Sequence, residues 1–355
     1  VENYVGGRKT EEICMTDSNH PREEAENREF QVDVFRPEDA KGVIELFRAV
    51  YGEGYPIRMF YDADALIRAN LEGTNYSVVA RAADGKIMGI QNVFRSAPFA
   101  RTYEVGAGLV LREYRKLGVN NAMLSYVFDE FIPDHGGIAE GFGEPVCNHV
   151  IMQKAVAEFR FRETAIEIAL MPGGTYDKEG NTGGRVTTLL AFRNYRPRPH
   201  RVYLPRSYEE QLRFMYSGLT EPRELAVAAD HPVPDGPTED QMTVFDSAQV
   251  ARIALNATGT DLDDRLASLE ADASSKGAVV FQAWLKLTEP WVEASVRTLR
   301  RRGYFLGGLL PRWFDDDGLL MEKLLVDPNF EGIHLYSDRA KVILDFVRAD
   351  CERKR

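Results

Sequence analysis

Cysteine is scarce in this chain. The 355 residues hold three, Cys14, Cys147 and Cys351, far apart and with no C-x-x-C pair. That argues against a disulfide framework and a thiolate zinc site, and it suits a reducing cytoplasm. The six histidines show no metal-ligand spacing either. No run approaches the roughly eighteen apolar residues of a membrane span, so no membrane segment is expected. Positive charge is short as well: 44 Lys and Arg stand against 55 Asp and Glu, a formal net charge of −11. So acidic a surface repels polyphosphate, which argues against sequence-independent nucleic-acid binding.

What remains is an ordinary globular composition, 44% hydrophobic and 28% charged, on a chain about twice the length of a typical domain. Residues 1–28 are polar, carry no secretory signal and read as a mobile tail. From Phe30 the pattern becomes structured. Phe30, Val32 and Val34 alternate as a strand, and Pro37 opens a helix with Val43, Ile44, Phe47 and Val50 on one face. A short helix, Ala63 to Leu71, precedes a meander: Tyr76 to Ala82, an Asp84-Gly85 turn, Lys86 to Phe94, then Tyr103 to Leu111. A helix from Val119 to Phe131, a strand at Gly137 to Gly141 and a helix from Asn148 to Phe159 follow. Strands at Thr164 to Met171 and Val186 to Phe192 close the unit around a polar Gly173–Gly184 excursion. Arg193 to Arg206, with Pro197, Pro199 and Pro205, reads as an extended basic connector. Its arginines suit either a plain linker or the binding of an acidic group.

The segment Leu109-Val110-Leu111-Arg112-Glu113-Tyr114-Arg115-Lys116-Leu117-Gly118-Val119-Asn120 carries the chemistry. An apolar strand ends, a tight turn follows, and an amphipathic helix begins at once. The first N–H groups of that helix have no intrahelical partners and form, with its dipole, an anion cradle. Gly118 lets a phosphate approach the backbone, and Arg115 and Lys116 add charge. The bland alternative is a Gly-relieved turn with exposed basic residues.

In this element order the chain resembles the GNAT superfamily of acyl-CoA-dependent N-acyltransferases from about Phe30 to Phe192. The resemblance rests on Q/R-x-x-G-x-G/A between the fourth strand and third helix, matched here by Arg115 and Gly118, with Asn120 in place of the last Gly or Ala. It implies that acetyl-CoA is the acyl donor, with its pyrophosphate on residues 115–120 and its pantetheine arm along Leu109, Val110 and Leu111, where the strand bulges at Val110. Asn148 matches a pantetheine-contacting Asn. The family's acid, a Tyr four residues before a Gly-Phe pair, is replaced: the pair is Arg160-Phe161 and the position holds Val156. For the general base, a carboxylate near the amine is needed. Glu104 is the first candidate, Glu140 and Glu144 the next, each against the reading of an ordinary solvated or ion-paired carboxylate. Direct transfer makes Cys147 an unpromising nucleophile.

The second half echoes the first. Gly259, Gly277 and Tyr304 follow Gly118, Gly137 and Phe161 at offsets of 141, 140 and 143 residues. A loop at Leu225 to Pro237, a fourth strand within Thr243 to Leu255, a helix at Asp261 to Ala273, and later elements to Val326 complete a divergent copy. In its turn Asp261 stands where phosphate would sit, as an N-cap acid. Trp284, Trp291 and Trp313 read as this module's core. The fold expected is therefore α/β (α+β), two GNAT-like modules, each a mixed, mainly antiparallel sheet flanked by helices. The divisions are 1–28 tail, 29–192 acyl-CoA domain, 193–206 linker and 207–355 second domain. The function expected is N-acyl transfer to a small-molecule or protein amine, with a homodimer left open. The alternative is a non-catalytic acyl-CoA sensor or scaffold.

Overall fold

The computed structural model describes residues 30–55, 57–173 and 184–353. The expected tail and most of the Gly173–Gly184 excursion lie outside these residues. The first half runs β1 (Phe30–Val34), α1 (Ala40–Tyr51), α2 (Ala63–Glu72), β2 (Asn75–Ala82), β3 (Ile87–Phe94), β4 (Thr102–Val110), α3 (Val119–Ser125), α4 (Ile132–Asp134), β5 (Glu140–Gly143), α5 (Ile151–Glu158), β6 (Arg162–Met171) and β7 (Val186–Asn194). A π-helical stretch, Tyr126–Phe131, joins α3 to α4. The second half runs β8 (His200–Leu204), α6 (Glu209–Tyr216), β9 (Arg223–Val227), β10 (Glu239–Phe245), β11 (Val250–Ala257), α7 (Leu262–Ser275), β12 (Val280–Lys286), α8 (Val292–Arg301), β13 (Phe305–Leu310), β14 (Gly318–Leu324) and α9 (Asp338–Glu352).

Twelve strands form one sheet in the order β1-β2-β3-β4-β5-β7-β6-β13-β14-β12-β11-β10. The order on one side of the β6–β13 junction is mirrored on the other, with β4 parallel to β5 and β11 parallel to β12. All other pairings in this sheet are antiparallel. The expected fold class, two mixed and mainly antiparallel modules flanked by helices, is the fold observed. The modules share an edge rather than standing apart.

That edge changes several readings. Trp284 and Trp313 are not the private core of the second half. Their rings pack edge-on at 5.0 Å, and Trp313 meets Phe142 and Phe192 of the first half at 5.1 and 6.2 Å. Backbone joins the halves as well: the Thr102 hydroxyl donates to the Arg312 carbonyl at 2.7 Å, and that of Thr164 to Leu309 at 2.7 Å. The connector is also more ordered than its prolines suggested. Residues 193–194 continue β7, and His200–Leu204 is β8, parallel to β9. Its basic residues are held by the protein itself: Arg193 by Asp129, Arg196 by the Pro133 carbonyl, Arg198 by Asp316 and Arg201 by Glu224. A linker guanidinium already paired to a carboxylate is a poor anion receptor, so the plain reading of these arginines is the better one.

Other corrections have local causes. The stretch Thr243 to Leu255 is not one strand but the hairpin β10–β11, turned at Gln249 with φ +57°. The loop read at Leu225 to Pro237 begins inside β9. The strand placed at Gly137 starts at Glu140, because the Gly136 and Gly137 carbonyls are tied to the Arg101 side chain instead of a ladder. Helix α9 was not anticipated, although its signals are ordinary. The Ser337 hydroxyl caps it by accepting from the Ala340 N–H at 3.0 Å, and Ala340, Ile343, Val347 and Cys351 form its buried stripe.

Candidate active site

The site begins with two parallel strands that separate. Strands β4 and β5 pair at three positions only, Thr102 with Glu140, Tyr103 with Gly141 and Glu104 with Phe142. Beyond them Pro145 has no N–H for a ladder. The chain turns to β7 instead: Leu189 N–H donates to the Pro145 carbonyl at 2.9 Å, and Val146 bridges Thr188. On the other side β4 bulges. Ala107, at φ +49°, is an extra residue between the pairs Asn92–Gly106 and Ile90–Leu109. The Gln91 and Asn92 side-chain amides hold the bulge by donating to the Gly106 and Ala107 carbonyls, each at 3.0 Å. A Cβ at Gly108 would lie 2.2 Å from the Gln91 carboxamide oxygen, so any larger residue there would displace the Gln91 amide that holds the bulge. The bulge therefore lies three residues before the expected Val110, whose side chain is buried against Val119 and Met123.

Between the separated strands lies a cavity of about 410 Å³, within the range of small-ligand sites. Its apolar wall is Leu124, Phe128, Met152, Val156 and Phe161, and its polar groups include Asn120, Glu104, Glu144 and Thr188. Val156 thus lines the cavity as an apolar group where the resemblance would put a phenol.

The turn at one end has the features of an anion cradle. Gly118 adopts φ +76° and a Cβ there would meet nothing within 4 Å. Among the described residues no partner accepts from the N–H groups of Gly118, Val119, Asn120 or Asn121, while Ala122 N–H closes the first helical bond to Gly118. The Arg115 guanidinium folds back to the Val110 carbonyl at 3.3 Å. Leu117 is exposed. Asn148 precedes α5 rather than opening it, and both polar atoms of its side chain are buried with no hydrogen-bond partner among the described residues. A buried carboxamide left unpaired in this way is costly, and an amide-bearing ligand arm would satisfy it. Residues 115–120 and Asn148 therefore fit the donor that the resemblance implies.

The three candidate bases do not converge. Glu104 and Glu144 line the cavity. Glu140 lies outside it, buried and accepting from Asn194 Nδ2 at 2.6 Å, and its nearest charged groups are Glu221, Arg223 and Asp317. Burial pushes the Glu140 carboxyl up to about 8, but it does not line this cavity. Burial also pushes Glu104 up to about 7, with Glu167 adding to the effect while Ser96 and Arg252 oppose it. Glu144 is raised well above the carboxylate range by burial and then by Glu167 and Glu104.

Sequence reasoning missed the partners of these carboxylates. Glu167 on β6 accepts from the Thr188 hydroxyl at 2.7 Å, from Gln282 Nε2 at 2.8 Å and from Arg252 Nη2 at 3.2 Å. Arg252 and Gln282 belong to the second half, so no signal local to the first could have revealed them.

The chain was compared with known proteins. No protein-family model and no curated protein matches it. Solved structures do: the ribosomal-protein-S5-alanine acetyltransferase of Vibrio fischeri is 13% identical at a TM-score of 0.39, over 47% of this chain and 94% of that one. An N-acetyltransferase of Staphylococcus aureus Mu50 is 12% identical at 0.39, over 48% and 100%. The ribosomal-protein-S18-alanine N-acetyltransferase of Escherichia coli is 13% identical at 0.37, over 48% and 96%.

The turn of the second half is built differently. A Cβ at Gly259 would lie 2.1 Å from the Gly236 carbonyl oxygen, so the chain's own Gly236–Thr238 segment packs on the turn. Gly259 N–H donates to the Thr238 hydroxyl at 3.1 Å. Asp261 stands at the N-cap position but does not cap: its carboxylate accepts from Thr238 N–H at 2.7 Å. Among the described residues no group of His, Cys, Asp or Glu could hold a metal ion, and no helix is long and apolar enough to cross a membrane.

Proposed function

We propose that the first half of the chain is an acyl-CoA-dependent N-acyltransferase, moving an acetyl or short acyl group to a primary amine by direct attack on the thioester. The observation that carries this reading is one continuous cavity that reaches from Asn120, at the turn, to Glu104. The amides of residues 118–121 and the side chains of Arg115 and Lys116 would hold the donor's pyrophosphate. Asn148 would pair with the pantetheine amides, and the β4 bulge would present backbone to the acyl carbonyl. Glu104 is the base: a carboxyl near 7 is half ionised at neutral pH and strong enough to take the amine proton. Placing amine and thioester side by side in the cavity would supply much of the rate by proximity.

Val156 favours a second reading, an acyl-CoA sensor or scaffold, because no phenol protonates the leaving thiolate. Thiol release from acetyl-CoA with a panel of amines, set beside calorimetric acetyl-CoA affinity, separates the two. Turnover on any amine supports the transferase; tight binding without turnover on every amine supports the sensor; absence of binding overturns both.

A further inference from the structure

We propose that Arg252, contributed by the second half of the chain, is a positioning residue that holds the cavity carboxylates of the first half in their working geometry and charge state. The inference rests on the transferase reading and deepens it, since it gives the second half a part in the same site. Five charged groups converge from five segments: Glu104 on β4, Glu144 just past β5, Glu167 on β6, Arg252 on β11 and Glu322 on β14. Arg252 is the one cation among the described residues that acts on all four carboxylates.

The geometry is that of a fixed cation. The guanidinium lies near two rings, 5.5 Å from the Phe245 centroid and 5.7 Å from that of Trp284. Its Nε donates to the Gln282 carboxamide at 2.9 Å, which leaves Nη2 to face Glu167 at 3.2 Å and Glu144 at 3.6 Å. Gln282 in turn donates to Glu167. The hydrogen bond from Nε and the two nearby rings hold the planar fork toward the carboxylates. Glu322 is engaged elsewhere, accepting from Ile168 N–H at 3.2 and 3.0 Å. Glu167 is bound by three donors and does not line the cavity, so Glu104 and Glu144 are the members of the cluster that can meet a substrate.

The cation has a definite effect on the base. Arg252 lowers Glu104 and Glu167 raises it, and the Arg252 effect is the larger. Removing Arg252 therefore raises the Glu104 carboxyl. Removing the Glu167 charge has the opposite sign and lowers it.

The test is the pH profile of acyl transfer for three variants of the full chain, alongside the infrared titration of the protonated-carboxyl stretch, which needs no turnover. Arg252→Gln is expected to move the rise in kcat/KM up by about one pH unit, which lowers activity at pH 7 about fivefold. Acetyl-CoA affinity is expected to stay within about twofold, since Arg252 does not line the cavity. Arg252→Lys is expected to restore much of the shift by returning the charge. Glu167→Gln is expected to move the rise down, and it keeps the proposal open to refutation if Arg252→Gln does not fold. An unmoved profile in folded Arg252→Gln or Glu167→Gln overturns the proposal. A wild-type chain without turnover would defeat the transferase reading alone, because the carboxyl titration would still register or fail to register the same shifts.

Discussion

Gly118→Asp isolates the anion cradle. The residue sits at φ +76°, with open space where a Cβ would go, beside four backbone N–H groups that have no partner among the described residues. Aspartate tolerates the left-handed region better than most residues, and the site is exposed, so the cost to folding is about 1 kcal/mol. Binding is affected far more. A carboxylate about 4 Å from one phosphate charge is repelled by about 1 kcal/mol in water and about 4 kcal/mol at the dielectric typical of a protein surface. Accepting one of the free N–H groups as a cap removes roughly another 1 kcal/mol from the ligand. The sum, about 2 to 5 kcal/mol, is a loss of roughly 30- to several-thousand-fold in acetyl-CoA affinity. Gly118→Ala carries the same backbone strain without the charge and is expected to lose no more than a few-fold. Calorimetry of both variants, with near-ultraviolet circular dichroism to establish the fold, gives the comparison. Added salt should recover part of the Gly118→Asp loss by screening. A folded Gly118→Asp chain that binds acetyl-CoA within twofold of the wild type would refute the assignment of this turn.

The remaining expectations are shorter. Because Glu104 is held up to about 7 and acts in its ionised form, kcat/KM should rise with pH through about 7, and Glu104→Gln should lower the rate and abolish that rise with acetyl-CoA affinity intact; an unchanged profile would pass the role to Glu144. Calorimetric titration should saturate near one acetyl-CoA per chain. Asp261→Gly should not add a second strong site, because Gly236–Thr238 still covers Gly259; two equivalent sites would contradict that. Trp313→Ala removes a ring that is 2% exposed from the seam between the halves and should cost about 3–5 kcal/mol in denaturant unfolding. A value under about 1 kcal/mol would mean that the seam contributes little.

The order of strands and helices in the first half was legible because each element carries its own signal. Alternation marked β1 to β3, the Asp84-Gly85 turn set their hairpin, and Gly118 with the apolar positions of the following helix located the cradle. These depend on residues within one or two turns of each other. The echo of the first half in the second was legible for the same reason, as was Asp261 at a helix start. Element ends were less so: the strand assigned to Gly137 begins at Glu140 because Arg101, far away in the chain, binds the Gly136 and Gly137 carbonyls.

What tertiary structure alone decided is which of these residues share an environment. Glu104, Glu140 and Glu144 are equivalent as letters, yet Pro145 turns the chain away from β4 so that Glu104 and Glu144 face the opening while Glu140 faces Asn194. The role of Trp313 depended on β6 meeting β13, an edge pairing for which the alternating pattern of either strand has no record. The charge of the site depended on it too. Sequence reports the identity of a carboxyl but not its dielectric or its neighbours, and these differ for Glu104 because Arg252, 148 positions further along the sequence, is brought beside it by the joined sheet.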